Sequence, residues 1–153
     1  MTAVCHRRAQ TRIGWEADDS FRAICLSGKG YARSEMTMSY LCTMLEETFP
    51  TCVAVSRGET IYCLHDRTRE DRTDFSGDLA IFLRDNLLQA GLSCVFTGLE
   101  NCGPHFREAE AALYFGEQTD DSFGCIISTT TLSHTFWRKL KRMCRRKICI
   151  PPY

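Results

Sequence analysis

The spacing of hydrophobic residues in the first half of the chain changes several times, and each change predicts a new helix or strand. Residues 21–27 have a continuous apolar centre, which is typical of a strand covered on both faces. Between Thr37, an expected N-cap, and Pro50, an expected stop, the apolar residues follow a helical period. The apolar face of this helix consists of Met38, Leu41, Cys42, Leu45 and Phe49. Residues 52–66 predict a β-hairpin, because two apolar runs flank a turn in which Gly58 tolerates a positive φ.

The pattern from residue 67 onwards predicts a loop, a helix and a strand. Residues 67–74 are charged and predict an exposed loop. Residues 75–90 predict a helix that ends at Gly91, a residue suited to a helix C-cap. The apolar side of this helix consists of Leu79, Phe82, Leu83, Leu87 and Ala90. A strand is expected directly afterwards, over residues 92–98.

The last third of the chain predicts a helix, a strand and a second helix. Pro104 opens the first of these helices, because proline is tolerated in the first turn. The face expected to be buried carries Phe106, Ala109, Ala112 and Leu113. Residues 123–129 predict a strand, and residues 133–147 predict an amphipathic helix capped by Ser133.

This order of elements predicts an α+β fold. Its core is β-α-β-β-α-β, the ferredoxin-like pattern, extended by an αβ unit and a C-terminal helix. The order predicts an antiparallel sheet with its helices on one face. We expect residues 1–19 to form a lead-in segment docked by Trp15, residues 20–130 the α/β domain, and residues 131–153 a basic connector helix and tail.

The cysteines and the apolar runs indicate a cytoplasmic protein. No two of the ten cysteines are separated by only two residues, and the histidines are scattered, so neither a metal site nor a cofactor is expected. Buried positions in strands or helices are expected for Cys25, Cys42, Cys63, Cys94 and Cys125, which favours reduced core thiols over a disulfide scaffold. No run of 18 apolar residues and no signal-peptide pattern occurs, so no membrane partner is expected.

Charge is divided unevenly along the chain. Residues 138–153 contain seven Lys and Arg and no acidic residue, whereas residues 1–137 contain 12 Lys and Arg against 19 Asp and Glu. Contact with a nucleic acid or another anionic partner would involve Arg138, Lys139, Lys141, Arg142, Arg145 and Arg146. That contact is the alternative, and we first expect a connector helix whose basic face is mostly solvated.

The stretch GLENCGPHFREAEAALYFGE carries a family resemblance. Its spacing of Phe106, Ala109, Ala112, Leu113 and Gly116, together with the hairpin and the element order, resembles the GGDEF-like domain of PucR/CdaR-type bacterial transcriptional regulators. The resemblance implies a non-catalytic regulatory domain that self-associates, as a homodimer, or relays a signal. In that family a helix-turn-helix binds DNA; this sequence contains no such module, and it does not identify an effector ligand.

The resemblance also implies a relationship to diguanylate cyclases. Those enzymes need acidic residues that hold divalent metal and a Gly-Gly hairpin tip. The corresponding tip here is Ser56, Arg57, Gly58, Glu59 and Thr60, with one glycine. The first strand ends in Ser27 and Gly28, without the Asp expected there. We therefore expect a degenerate hairpin and no catalysis; the alternative, a divergent nucleotide-binding or cyclase-type enzyme, needs an acidic pair near Glu59.

Two other constellations carry little weight. The glycines at 28 and 30 lack the spacing of a phosphate-binding loop. Cys102 and His105 are close in sequence, but proximity alone does not establish a nucleophile and its base.

Overall fold

The computed structural model describes residues 14–28 and 35–119 and the backbone of residues 126–128. The strands are β1 (Ser20–Gly28), β2 (Cys52–Arg57), β3 (Thr60–Asp66), β4 (Leu88–Thr97) and β5 (Ile126–Ser128). The helices are α1 (Glu35–Thr48), α2 (Phe75–Asp85) and α3 (Cys102–Thr119), the last preceded by a 3-10 turn (Leu99–Asn101). The expected helix over 133–147 and Cys125 lie outside the described residues.

The strands form one sheet in the order β2-β3-β1-β4-β5. The first four are antiparallel to their neighbours, and β5 pairs parallel to β4. The fold is therefore the mixed α+β class that the sequence predicts, with a four-stranded antiparallel sheet and three helices in the described region. None of the helices described has the combination of length and apolar character needed to cross a bilayer.

The helices cover both faces of the sheet. Helices α1 and α2 share one face, as predicted, and the prediction is wrong for α3, which lies on the opposite face. Along β1, Ile24 and Leu26 belong to an apolar cluster with α1 and α2. The alternate residues Ala23 and Cys25 belong to a second cluster with α3. Because successive strand residues point to opposite faces, a strand that is apolar throughout needs a helix on each side.

The helix predicted over 75–90 is shorter than expected, and Gly91 is not its C-cap. Helix α2 ends at Asp85, and a turn with φ +57° at Leu87 leads directly into β4. Gly91 lies inside β4, opposite Cys25. A Cβ atom there would stand 2.2 Å from the backbone oxygen of Ala109 and 2.3 Å from the backbone nitrogen of Leu113. The glycine therefore allows α3 to approach the sheet closely.

The other predicted apolar faces are largely confirmed. All five residues of the expected α1 face are buried, and so are Ala109, Ala112 and Leu113 of α3. Phe106 was expected on the same α3 face and is only partly buried, packed against the second cluster. The N-cap prediction is wrong, because α1 includes Glu35 and Thr37 lies inside the helix. Trp15 is buried and packs on Phe21, with ring centroids 5.0 Å apart.

The cysteines that the structure describes are free thiols, and most of them are core residues. Cys25, Cys42 and Cys63 are buried as predicted, and Cys94 is only half-buried. Burial and contact with Cys52 raise the pKa of the Cys63 thiol, with the Cys52 contact the larger cause. Such a thiol behaves as a small apolar side chain.

A β-bulge interrupts the pairing of β1 with β4. The register shifts between Arg22 and Ile24, so that two residues of β4 oppose Ala23. The buried hydroxyl of Ser93 accepts a hydrogen bond from the backbone N–H of Ala23 at 3.0 Å. The side chain thus satisfies a backbone donor at the irregularity.

Residues 67–74 form the exposed charged loop that the sequence predicts, and ion pairs attach it to the domain. Asp66 is buried, and its carboxylate accepts bonds from the Thr68 and Arg69 backbone N–H groups and from the Arg69 guanidinium. Arg69 also pairs with Asp19. Glu70 pairs with the buried His65, their nearest atoms 2.7 Å apart. The loop therefore links the lead-in segment to β3.

Candidate functional site

The tip of the β2–β3 hairpin lies beside the end of β1. Ser27 is the direct partner of Thr60 on the neighbouring strand, and Arg57 pairs with Thr60 across the turn. Gly58 adopts φ +58°, which the absence of a side chain permits. The pairing brings together the two places at which the family resemblance puts the chemistry of cyclases: the hairpin tip and the end of the first strand.

A pocket of about 280 Å³ opens next to this junction. The sheet contributes Ser27, Glu59, Thr60 and Tyr62 to its lining. Helix α3 contributes Glu110, Leu113, Tyr114 and Glu117. The pocket is the candidate functional site, because it joins the hairpin tip, the end of β1 and a helix.

Two glutamates of α3 accept hydrogen bonds from sheet hydroxyls in this pocket. The Tyr62 hydroxyl donates to Glu110 at 2.6 Å, and the Ser27 hydroxyl donates to Glu117. Burial, followed by the bond to Glu110, raises the pKa of Tyr62 well above its usual range, so the phenol stays protonated and a donor. These contacts join α3 to the sheet through polar groups at one end of the helix.

Three sheet residues of the pocket, Ser27, Glu59 and Thr60, could be identified from the sequence. The polar residues that α3 contributes to the pocket were missed. Glu110, Leu113, Tyr114 and Glu117 recur at the i, i+3, i+4, i+7 spacing of one helix stripe. That spacing is visible in the sequence. The side of α3 that faces the hairpin is not visible there, because it depends on the helix packing against the second face of the sheet.

Other candidate residues lie away from the pocket or outside the described region. Ser56 points towards α1, where its hydroxyl oxygen is 3.4 Å from that of Ser39. The Cys102–His105 hypothesis gains no support: burial raises the pKa of the Cys102 thiol, and the His105 ring bonds to Glu108 at 3.0 Å. The six basic residues from Arg138 to Arg146 are outside the part of the chain that the structure describes. Within that part, no three Cys, His, Asp or Glu side chains are grouped as ligands for a metal ion.

Comparison with known proteins agrees with this architecture. The family model of the GGDEF-like domain matches residues 5–115, which is 111 of the 153 residues. No curated protein and no solved structure matches the chain. The family match spans β1, the hairpin, β4 and most of α3, and so includes every residue of the pocket except Glu117. The chain therefore belongs to the GGDEF-like domain family.

Proposed function

We propose that this chain is a non-catalytic regulatory domain of a PucR/CdaR-type transcriptional regulator, acting in the cytoplasm by self-association or signal relay. Its core would have the ferredoxin-like topology. The strand order β2-β3-β1-β4, with antiparallel neighbours, supports that topology. DNA would be bound by a helix-turn-helix outside this sequence. No metal or nucleotide cofactor is part of the proposal.

One observation carries the proposal: a hydroxyl occupies the end of β1 beside the hairpin tip. Ser27 directly opposes Thr60 and donates its hydrogen bond to Glu117. Phosphoryl transfer of the cyclase type needs carboxylates that hold metal against the nucleotide phosphates. A serine that is itself hydrogen-bonded to a glutamate does not supply such a ligand.

A nucleotide turnover assay tests the non-catalytic part. Incubation of the full chain with labelled GTP or ATP and magnesium should give no product above a protein-free blank. Turnover by the wild type that is abolished in Glu59→Ala would contradict the proposal and revive the cyclase alternative. Turnover that is equal in the two proteins would identify a contaminating enzyme, because Glu59 is the hairpin carboxylate that lines the pocket.

Sedimentation velocity tests self-association. We expect the weight-average sedimentation coefficient of the full chain to rise with concentration towards that of a homodimer. A reducing agent is required, because the chain has ten cysteines and accidental disulfides would imitate a dimer. A monomer at every concentration would contradict self-association and leave signal relay as the role.

The coding sequence downstream of Tyr153 tests the assignment to a regulator. A helix-turn-helix in the same or an adjacent reading frame is expected. Unrelated sequence would contradict the PucR/CdaR assignment without affecting the non-catalytic part of the proposal.

The basic segment favours a second candidate function, nucleic-acid binding. Seven positive charges without an acidic residue in residues 138–153 would bind phosphates weakly and with steep salt dependence. Replacing Arg142, Arg145 and Arg146 by Ala should then weaken binding to duplex DNA. Unchanged binding would exclude this segment as the contact surface.

A further inference from the structure

Among the described residues, Arg22 and Arg67, near one end of the sheet, lack the ion-pair partners that other arginines of the domain have. Arg69, Arg72 and Arg84 each form an ion pair with an aspartate. Arg22 and Arg67 form no side-chain hydrogen bond or ion pair with any residue in the described ranges. The Nε atom of Arg22 is moreover buried without a hydrogen-bond partner. A buried guanidinium donor with no acceptor is costly, so its retention calls for an explanation.

The strand register places these two side chains on the same face of the sheet. Arg22 of β1 is directly opposite His65 of β3. The pairing continues one step beyond β3, where the backbone N–H of Arg67 donates to the carbonyl of Ser20 at 2.8 Å. Positions 65 and 67 point to the same side as positions 20 and 22, because side chains alternate along a strand and directly paired residues share a face.

This corner of the sheet is open to solvent. Val95, which opposes Arg22 on the other neighbouring strand, is 45% exposed. Arg67 is exposed as well, and Arg22 is partly so. A small molecule in solution can therefore reach Arg67 and the exposed part of Arg22 without any opening of the fold.

The nearby carboxylates are engaged with other groups. Glu70 accepts bonds from His65, from Thr51 and from the backbone N–H of Arg72. Asp66 lies between positions 65 and 67 and so projects to the opposite face, where it pairs with Arg69. Burial, and then the positive charge of Arg67, lower the pKa of Arg22. The two guanidinium groups therefore repel each other without a described counter-ion between them.

We propose that Arg22 and Arg67 form a binding site for a phosphate group. A guanidinium donates two parallel hydrogen bonds to an oxyanion, and two guanidinium groups match the charge of a phosphate dianion. Bound phosphate would neutralise the charge of the two guanidinium groups and remove the repulsion between the arginines. This proposal is independent of the function proposed above, because the site is at the opposite end of β1 from the pocket.

Thermal unfolding of the full chain tests the site with inorganic phosphate. At 10 mM phosphate we expect a rise in Tm of about 3 °C relative to sodium chloride of equal ionic strength, if the Kd is roughly 1 mM. Arg67→Gln should abolish the rise, and Arg22→Gln should do the same. The matched control is Arg84→Gln, an exposed arginine paired with Asp85, which should keep the full response.

The same variants separate binding from a structural role. Without phosphate, Arg67→Gln should unfold at the wild-type temperature or above it, because a like-charge repulsion is removed. Arg67 is exposed, so this variant is expected to fold even if Arg22→Gln does not. A nucleoside monophosphate in place of phosphate distinguishes the source: a larger shift indicates a nucleotide ligand, and an equal shift indicates free phosphate. No shift in the wild type, or an equal shift in Arg67→Gln, would overturn the proposal.

Discussion

Individual buried polar residues carry much of the acid–base behaviour of this domain. His65 is completely buried, stacks on Phe75 with ring centroids 3.8 Å apart, and bonds to Glu70. Burial is the main cause that lowers the pKa of His65, and the charges of Arg67 and Arg22 add to it, against the opposing effect of Glu70. The histidine therefore remains neutral in the folded protein at pH values where the unfolded chain binds a proton.

The first prediction concerns the dependence of stability on pH. The pKa of His65 is lower in the folded state than its usual value of about 6.5, so its contribution is complete above that value and is lost as pH falls below it. We expect the free energy of unfolding, measured by urea denaturation, to fall between pH 7 and pH 5.5. His65→Gln should flatten this slope. A slope equal to that of the wild type in His65→Gln would contradict the assignment.

The second prediction concerns the charge buried at the end of β3. Arg69→Met leaves the carboxylate of the fully buried Asp66 without its guanidinium, which lies 2.8 Å away. The variant is expected to destabilise the fold, because the carboxylate is fully buried and loses its charged partner, although the guanidinium itself is partly exposed. The control Arg84→Met breaks a pair that is more than half exposed on both sides, and should cost less than about 0.5 kcal/mol. Equal losses in chemical denaturation would show that the Asp66 pair is not special.

At this scale the sequence predicted apolar residues well and polar partners poorly. Leu41, Leu45 and Phe49 are buried because the helical period alone determines their face. Glu110 and Glu117 are separated by 48 and 90 positions from the hydroxyls that they bind. Such hydrogen-bond partners depend on how a helix packs against a sheet. A local sequence pattern does not reveal that packing.

At the scale of elements, the close approach of α3 to β4 is the distinctive contact. Gly91 in the strand meets the backbone of the helix at Ala109 and Leu113. The neighbouring Ala112 is also fully buried. Small residues on both partners thus allow the helix axis to lie near the sheet, and this packing shapes the pocket at the end of the helix.

The third prediction tests this contact. Gly91→Ala places a methyl group within 2.3 Å of helix backbone atoms, and a helix backbone cannot yield as a side chain does. We expect a loss of more than about 3 kcal/mol in the free energy of unfolding, or failure to fold. At Gly77 the atoms nearest to the new methyl group belong to the side chain of Asp74, which caps α2 and can move aside, so Gly77→Ala should cost no more than about 1 kcal/mol, the loss of a helix cap. A mild effect at position 91 would show that α3 can move away from the sheet.

The order of elements could be predicted from the sequence, but two of their relationships could not. Gly91 follows an apolar run of helical period, so it resembles a C-cap, yet residues 88–90 pair with β1. Tertiary pairing decided between a longer helix and a longer strand. The placement of α3 on the second face depends on the apolar side of β1 formed by Ala23 and Cys25, which a continuous apolar run indicates without showing what covers it.

At the scale of the whole molecule, charge is distributed unevenly along the chain. The described members of both apolar clusters lie between Trp15 and Leu113. Residues 138–153 contribute a net charge of about +7 against about −7 for the rest, counting Lys, Arg, Asp and Glu. The excess of positive charge thus follows the described members of both clusters in the sequence.

The fourth prediction follows from this distribution. A fragment of residues 1–130 should fold, with a free energy of unfolding within about 1 kcal/mol of the full chain, because every described residue of the two clusters is retained. Urea denaturation of the two proteins measures the difference. The fragment should also bind an anion exchanger more strongly than the full chain does at neutral pH. A fragment that fails to fold would show that residues 131–153 contribute to the core.

The bulge opposite Ala23 determines which face of the sheet each later side chain of β4 points to. Before it, Leu88, Ala90 and Leu92 face α1 and α2; beyond it, the extra residue places Phe96 on the side of Phe21 and α3. A regular ladder formed by the intact sequence would exchange the two sides of every residue that follows. Val95 would then turn into the α3 core, and Phe96 would come to lie in solvent on the face of Arg22. Deleting one residue at the bulge would instead leave Val95 opposite Arg22 and Phe96 opposite Phe21 in a regular ladder, so the extra residue is what lets the two halves of β4 serve the faces that they cover.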